Sequence, residues 1–297
     1  MNPLKLGIMG MSEGNGHPYS WAAIFNGYHP DSMADCPFPV IPAYLAEQTF
    51  PEAAIPNVEV SHIWTQDTAI SQHISASSRI PHIAHKATEM IGQVDGILLA
   101  RDDAERHLEM ARPFLLEGIP IFIDKPLALT RREAQEIFSL QQYEGQVFTC
   151  SSLRYASEFQ PTEEIENTLG TLRFIEGIVP KFWNTYAVHI IEPALNFASK
   201  RGSLEEILPF KRNEVQMAQV RWSSGLSAVF KTMGSIKCPL EIALYGENGF
   251  IRLAFQDSFN AFKSSLEVFV EMIRTKTQPI PRKETLEIVE IIERGNG

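Results

Sequence analysis

Leu4–Met9 is a short apolar run that stops at a glycine-bearing stretch, Gly10-Met11-Ser12-Glu13-Gly14-Asn15-Gly16. Pro18 then opens a short helix with Trp21, Ile24 and Phe25 on its apolar face, and Asn26-Gly27 closes it. Residues 28–57 interrupt this regularity with six prolines and read as an insertion whose one helical piece runs from Tyr44 to Gln48. Pattern resumes at a strand over Val58–Trp64, and Asp67 is placed to cap the helix that carries Ile70 and Ile74. Val94–Ala100 is continuously apolar, as in a strand buried on both faces of a parallel sheet. A helix is predicted over Glu105–Glu117, bent at Pro113 and ended by Gly118, and a strand over Ile119–Asp124. Thr130 and Glu133 form a capping box for a helix to about Gln141, and Gln146–Ser151 is a further strand.

Strand, glycine turn, helix and strand in alternation define an α/β fold with an N-terminal Rossmann-like, doubly wound parallel sheet, whose ligand lies beyond the carboxyl ends of its strands. The positions at that edge are Gly10 to His17, Thr65 to Asp67, Ala100 to Asp103 and Asp124 to Pro126. After Ser151 the strands lengthen and alternate. Val215, Met217 and Trp222 lead to a turn at Ser224-Gly225 and a return over Leu226–Met233. Leu240, Ile242 and Leu244 precede a Gly246–Gly249 turn and a return strand over Phe250–Phe255. Two amphipathic helices follow, one with Phe259, Phe262, Leu266, Phe269 and Ile273 on one face, the other with Leu286, Ile288, Val289 and Ile292. The expected division is residues 1–150, with the insertion at 28–57, and a C-terminal α+β domain with a mostly antiparallel sheet over 151–297; a chain of 297 residues suits two cores.

A net charge of -10 repels phosphate backbones, so nucleic acid is not an expected partner. Cys36, Cys150 and Cys238 form no C-x-x-C pair and read as reduced thiols. No signal-peptide pattern and no apolar run of membrane-spanning length is present, so a cytoplasmic protein without membrane contact is expected. His82 and His85 have the spacing of a metal pair but no third ligand in a suitable pattern, and no metal is expected.

A pyrophosphate needs backbone N–H groups at a helix start that no side chain shields. Gly10-x-x-x-Gly14-x-Gly16 offers this, although its spacing is not G-x-G-x-x-G. The same spacing occurs in short-chain dehydrogenases, whose chemistry uses Tyr-x-x-x-Lys, yet none of the seven tyrosines has Lys four positions on.

Ile121-Phe122-Ile123-Asp124-Lys125-Pro126-Leu127-Ala128 resembles the glucose-fructose oxidoreductase, inositol dehydrogenase and MocA family, in which Glu-Lys-Pro ends a strand of the dinucleotide domain. Val94-Asp95-Gly96-Ile97, His107, Leu153-Arg154-Tyr155 and Val188-His189-Ile190 extend the resemblance over nearly the whole chain. It implies NAD or NADP as cofactor. The implied contacts are Gly10, Met11, Ser12, Gly14, Asn15, Gly16 and His17 in the loop, with Thr65 and Asp67, Ala100, Arg101 and Asp102, His107, Asp124, Lys125 and Pro126 beyond it. Lys125 is implied to meet the cofactor ribose and the reacting oxygen, and His189 to act as acid/base, a role suited to imidazole. Arg154, Tyr155, Trp183, Asn184 and Thr185 are implied around a sugar-like substrate.

Three departures stand out. The loop is longer by two residues, and residues 28–57 are additional sequence. Thr65 stands where an acidic residue usually meets the adenosine ribose, with no following Arg for a 2′-phosphate, which leaves NAD and NADP both open. Thr185-Tyr186-Ala187-Val188-His189 replaces Asp-x-Gly-x-His, so Tyr186 or Thr185 is expected to hydrogen-bond His189 in place of the carboxylate. The expected function is hydride transfer between nicotinamide and a hydroxyl or carbonyl of a sugar, nucleotide sugar or cyclic polyol, by a homodimer or homotetramer. The alternative is a dinucleotide-binding sensor or co-regulator that has lost catalysis.

Overall fold

The computed structural model describes residues 3–297, which form two compact units that do not divide the chain at a single point. The first unit holds the chain up to Asp124, then Glu136–Thr149 and Ser265–Ile280; the second holds Lys125–Gln135, Cys150–Ser264 and Pro281–Gly297. The step from Thr149 to Cys150 lies beside the expected boundary at 150, whereas Ser265–Ile280, expected in the later domain, completes the first unit.

The first unit is built on six parallel strands, β1 (Leu4–Met9), β2 (Val58–Trp64), β3 (His82–Ile83), β4 (Gly96–Leu99), β5 (Ile121–Ile123) and β6 (Val147–Phe148). Their order is β3-β2-β1-β4-β5-β6. The order reverses where β1 pairs with β4, from Leu6 opposite Gly96 to Met9 opposite Leu99. In such sheets the ligand crevice opens beyond the carboxyl ends of those two strands. The helices in chain order are α1 (His17–Asn26), α2 (Pro30–Ala34), α3 (Val40–Ala46), α4 (Thr68–Ser77), α5 (His107–Leu116) and α6 (Arg131–Ser139, shared with the second unit).

Several boundaries differ from the sequence reading. The insertion carries two helices, α2 and α3, and the second lies a turn earlier than Tyr44 to Gln48 because Pro39 occupies its N-cap position and starts it. A 3₁₀ turn over Ala104–Arg106 precedes α5, so the helix itself begins at His107. The strand expected over Gln146–Ser151 pairs only at Val147 and Phe148, because the chain leaves this unit after Thr149. The core is aromatic where the closing segment joins it: Phe122 meets Trp21 at 4.8 Å, Phe148 at 4.7 Å and Phe269 at 5.7 Å between ring centroids. Phe269 comes from far along the chain, and the area it buries helps to fasten that segment here.

The second unit contains β7 (Leu172–Val179), β8 (Leu204–Arg212), β9 (Val215–Trp222), β10 (Ser227–Thr232), β11 (Glu241–Gly246) and β12 (Phe250–Ala254). The order is β12-β11-β7-β10-β9-β8, antiparallel except for the parallel β7–β10 pair. Its helices are α7 (Glu163–Leu169), α8 (Trp183–Tyr186), α9 (Val188–Asn196), α10 (Ser258–Thr275, shared with the first unit) and α11 (Arg282–Gly295). Ile175, Val220, Trp222, Phe230 and Leu244 line one sheet face and share a buried cluster with Ile190, Ile191 and Leu195 of α9 and Ile288, Ile291 and Ile292 of α11. Gly177 allows α9 close to the sheet, since a Cβ there would lie 3.0 Å from that of Ile190. β8 has only Ile207 buried, which is why its alternation escapes a reading of apolar period.

Candidate active site

After β1 the backbone turns through Gly10 at φ +85° and Gly14 at φ +76°, conformations that side chains other than glycine rarely adopt. Gly10 N–H is paired with Trp64 O at 2.8 Å, and Asn15 N–H with Ser12 O at 3.2 Å. Between them, the amides of Met11, Ser12, Glu13 and Gly14 have no acceptor among the described residues. Four successive unpaired donors at a strand end, just before the N-terminus of α1, are the kind of group that binds an anion. A Cβ on Gly14 would meet nothing within 4 Å, so the tip of the loop is open.

The other two glycines serve packing. A Cβ on Gly10 would fall 2.2 Å from Cγ and Cδ of Arg101, whose side chain lies across the turn. Arg101 is held there by a bidentate ion pair with Asp103 and by Gln66, which also donates to Met11 O. A Cβ on Gly16 would reach Ile41 at 2.5 Å and Phe38 at 2.7 Å, so that glycine admits the insertion against the loop.

Asp124 ties the loop to the end of β5. Its buried Oδ2 accepts from Asn15 Nδ2 at 2.8 Å and meets His17 Nδ1 at 2.6 Å. Asn15 Oδ1 accepts from His17 N at 2.8 Å, which closes a small ring of bonds. The imidazole also stacks on Trp21 at 4.9 Å, and Trp21 on Phe122, so its position is fixed by carboxylate and core together. Elsewhere on this edge, Ser12 Oγ donates to Asp102 Oδ1 at 2.5 Å, and His107 Nε2 contacts Arg101 O at 2.7 Å, steadying the turn after β4. Ala100 is buried, its N–H paired with Met9 O. Thr65 Oγ1 donates to Asp67 O at 2.6 Å and meets Ser71 Oγ at 2.9 Å, while Asp67 caps α4 through Ala69 N. Both side chains are therefore engaged in the β2–α4 turn itself.

The second unit assembles a separate group of candidate residues. Lys125, which precedes a cis peptide bond to Pro126, is buried, with Nζ 5.5 Å from the Tyr186 ring centroid. Tyr186 meets His189 edge to face at 5.0 Å. His189 Nδ1 lies 2.8 Å from Ser151 Oγ, a partner that the sequence did not suggest. Ser151 N–H donates in turn to Glu192 Oε2 at 2.6 Å. Ser151 and Glu192 escaped the sequence reading; the signal was there in the spacing, since Glu192 stands three residues after His189 on one face of α9.

Arg154 and Trp183 are each engaged within the unit. Arg154 is ion-paired with Glu192 at 3.3 Å and with Glu284, which also pairs with Arg201 at 3.0 Å. Arg201 then meets Glu287 at 2.8 Å, and Trp222 Nε1 donates to the same carboxylate at 2.7 Å. Burial opposes ionisation of Glu284, but Arg154 and Arg201 overcome it and hold that carboxyl below its usual range. Trp183 is a core residue, donating from Nε1 to Ile292 O at 2.9 Å and packed on Gly295. Tyr155, Asn184 and Thr185 are half-buried. His82 meets His62 with ring centroids 4.8 Å apart, tilted by 33°, and no group of three metal-ligating residues occurs among the described residues.

Residues 42–152 match the model of the Gfo/Idh/MocA family, described as an oxidoreductase family with an NAD-binding Rossmann fold. That segment matches the family whose resemblance rested on Asp124-Lys125-Pro126, and the match supports an NAD-binding Rossmann fold. No curated protein matches the chain. Among solved structures, myo-inositol 2-dehydrogenase from Lactobacillus plantarum aligns over 99% of this chain and 96% of its own, with a TM-score of 0.72 at 14% identity. GenD2 from gentamicin A biosynthesis, in complex with NAD, aligns over 100% and 94%, with a TM-score of 0.76 at 11% identity. Biliverdin reductase from Synechocystis sp. PCC 6803, with biliverdin and NADP+, aligns over 99% and 98%, with a TM-score of 0.71 at 12% identity. At these identities the likeness is one of fold.

Glu192 gives this region a pH signature. Burial pushes its carboxyl up from 4.5 to about 7 against the pull of Arg154 and the Ser151 amide. The folded state thus holds this proton more tightly than the unfolded chain. The contribution is complete below pH 4.5 and is lost as pH rises through about 7. Urea unfolding of wild type and Glu192→Gln across that window is expected to show the wild type losing stability relative to the variant as pH rises. A difference that stays constant with pH would contradict this assignment.

Proposed function

We propose that the protein is an NAD- or NADP-dependent oxidoreductase that interconverts a carbinol and a carbonyl on a sugar-like or cyclic polyol substrate. The observation that carries this reading is the run of four unpaired amides from Met11 to Gly14 at the β1–β4 switch point, suited to a pyrophosphate. Lys125 follows directly on Asp124, the residue that braces this loop. With Thr65 engaged in its own turn, no carboxylate at that position stands against a 2′-phosphate, in keeping with either dinucleotide.

When bound, the nicotinamide supplies or takes the hydride. The chain's own part is to manage charge and protons. Lys125 Nζ steadies the substrate oxygen as it gains alkoxide character. His189 exchanges the hydroxyl proton at Nε2, its Nδ1 being held by Ser151. Tyr186, in contact with both Lys125 and His189, orients the pair. No observation favours the non-catalytic sensor. The sheet face away from the core exposes Leu208, Phe210 and Phe250, each at least half accessible, and we read it as a self-association surface of a homodimer or homotetramer.

Lys125→Met keeps the length of the side chain and removes its charge. Turnover with a screened polyol or sugar is expected to fall by about 100-fold or more, while dinucleotide affinity from fluorescence titration changes only a few-fold. Unchanged turnover would overturn the assignment of Lys125. Light scattering after size exclusion checks the assembly: a multimer is expected, and a monomer at micromolar concentration would contradict it.

A further inference from the structure

Arg101 leaves the chain two residues after β4, yet its guanidinium is delivered to the end of β2. The stem crosses β1 over the Gly10 turn, where Cγ and Cδ fill the space that a Cβ on that glycine would need. Nη1 then donates to Gln66 Oε1 at 3.1 Å, and Gln66 Nε2 donates to Met11 O, so the ends of β4, β1 and β2 are bridged by one side chain and its partner. Asp103 fixes the plane of the guanidinium, taking Nε at 2.8 Å with Oδ1 and Nη2 with Oδ2. The Arg101 side chain is only 13% exposed, so this placement is packed as well as bonded.

The end of the second strand is where a Rossmann site receives the adenosine ribose, with a carboxylate for a free 2′-hydroxyl or an arginine nearby for a 2′-phosphate. Thr65 brings no carboxylate, and Asp67 turns its own to Ala69 N at the start of α4. No arginine follows Thr65 closely in sequence, but the fold supplies one from across the sheet. A guanidinium has five N–H donors. Asp103 and Gln66 take three of those on Arg101, which leaves one on Nη1 and one on Nη2 without an acceptor among the described residues. Asp103 does not cancel the field there: an anion that takes these two lies nearer the guanidinium than the carboxylate on its other edge, and attraction prevails. Two N–H groups of one guanidinium suit a phosphate, whereas a ribose hydroxyl in the same place finds donors and no carboxylate for its own proton.

We propose that Arg101 is the specificity-determining residue for the cofactor, making this chain bind NADP in preference to NAD by taking the 2′-phosphate of the adenosine ribose. This rests on the dinucleotide-dependent reading above and decides which dinucleotide it concerns.

The test is equilibrium binding of NADPH and NADH to the full chain, followed by nicotinamide fluorescence. Wild type is expected to bind NADPH about tenfold or more tightly than NADH, with a preference that shrinks as salt rises. A second arm needs no variant: 2′,5′-ADP should displace NADPH at least about fivefold better than 5′-AMP, from which it differs only by the 2′-phosphate. Arg101→Met keeps an aliphatic stem over Gly10 and should weaken NADPH about tenfold while weakening NADH less than about twofold, and Arg101→Lys, which keeps the charge, should restore part of the ratio. NADH bound as tightly as NADPH, 5′-AMP competing as well as 2′,5′-ADP, or an Arg101→Met variant that weakens both dinucleotides by the same factor would each overturn the proposal, and the first of these leaves the oxidoreductase reading standing. Binding of neither dinucleotide would dismiss both. The expected preference without turnover of any sugar or polyol would keep the role of Arg101 and dismiss the oxidoreductase.

Discussion

The buried carboxylate of Asp124 is the fixed point of the first unit. At the tip of β5 it receives Asn15 and His17 from the loop after β1, so a flexible glycine-bearing turn is tied to a strand two places away in the sheet. Leaving such a carboxylate without partners in a protein interior is costly, which makes the loop geometry a requirement of the fold rather than one of many conformers. His17 is pinned again by stacking on Trp21, itself stacked on Phe122 of the same strand that ends at Asp124. The consequence is a loop in which the N–H groups of Met11 to Gly14 have no acceptor among the described residues.

The second unit handles charge in two ways. Glu192, Arg154, Glu284, Arg201 and Glu287 form one continuous network, in which each arginine answers two carboxylates. Such a network contributes register and rigidity more than net stability, since desolvation offsets much of the Coulombic gain. It also anchors Ser151, and through it His189. Lys125 and Lys181 both lie near the Tyr186 ring, with Nζ 5.5 and 4.3 Å from its centroid.

Much of the first unit was legible because its signals are local. β1 and β2 have the predicted bounds, as apolar runs ended by turns, and Asp67 caps α4 as its position suggests. The Asp-Lys-Pro block was recognisable because it sits directly after a buried strand. What escaped depends on contacts between residues far apart in sequence. Nothing near Ser151 announces that it will meet His189, and nothing near Lys181 that five residues on it will find a phenol in a turn of backbone set by Gly234. The partners of Arg154 and Trp183 within the unit were not legible either, because side-chain type says nothing about which distant residues will meet it. β7 and β8 were missed because Arg173 and Glu176 break the apolar pattern of β7 and exposed residues dominate β8.

Amide hydrogen exchange of the full chain, with and without saturating NADH or NADPH, tests the central claim most directly. The account predicts that a peptide covering residues 10–17 exchanges markedly more slowly with one of the two dinucleotides, as the amides of Met11 to Gly14 find acceptors. Dinucleotide binding that leaves this peptide unchanged, or no binding of either dinucleotide, would contradict it.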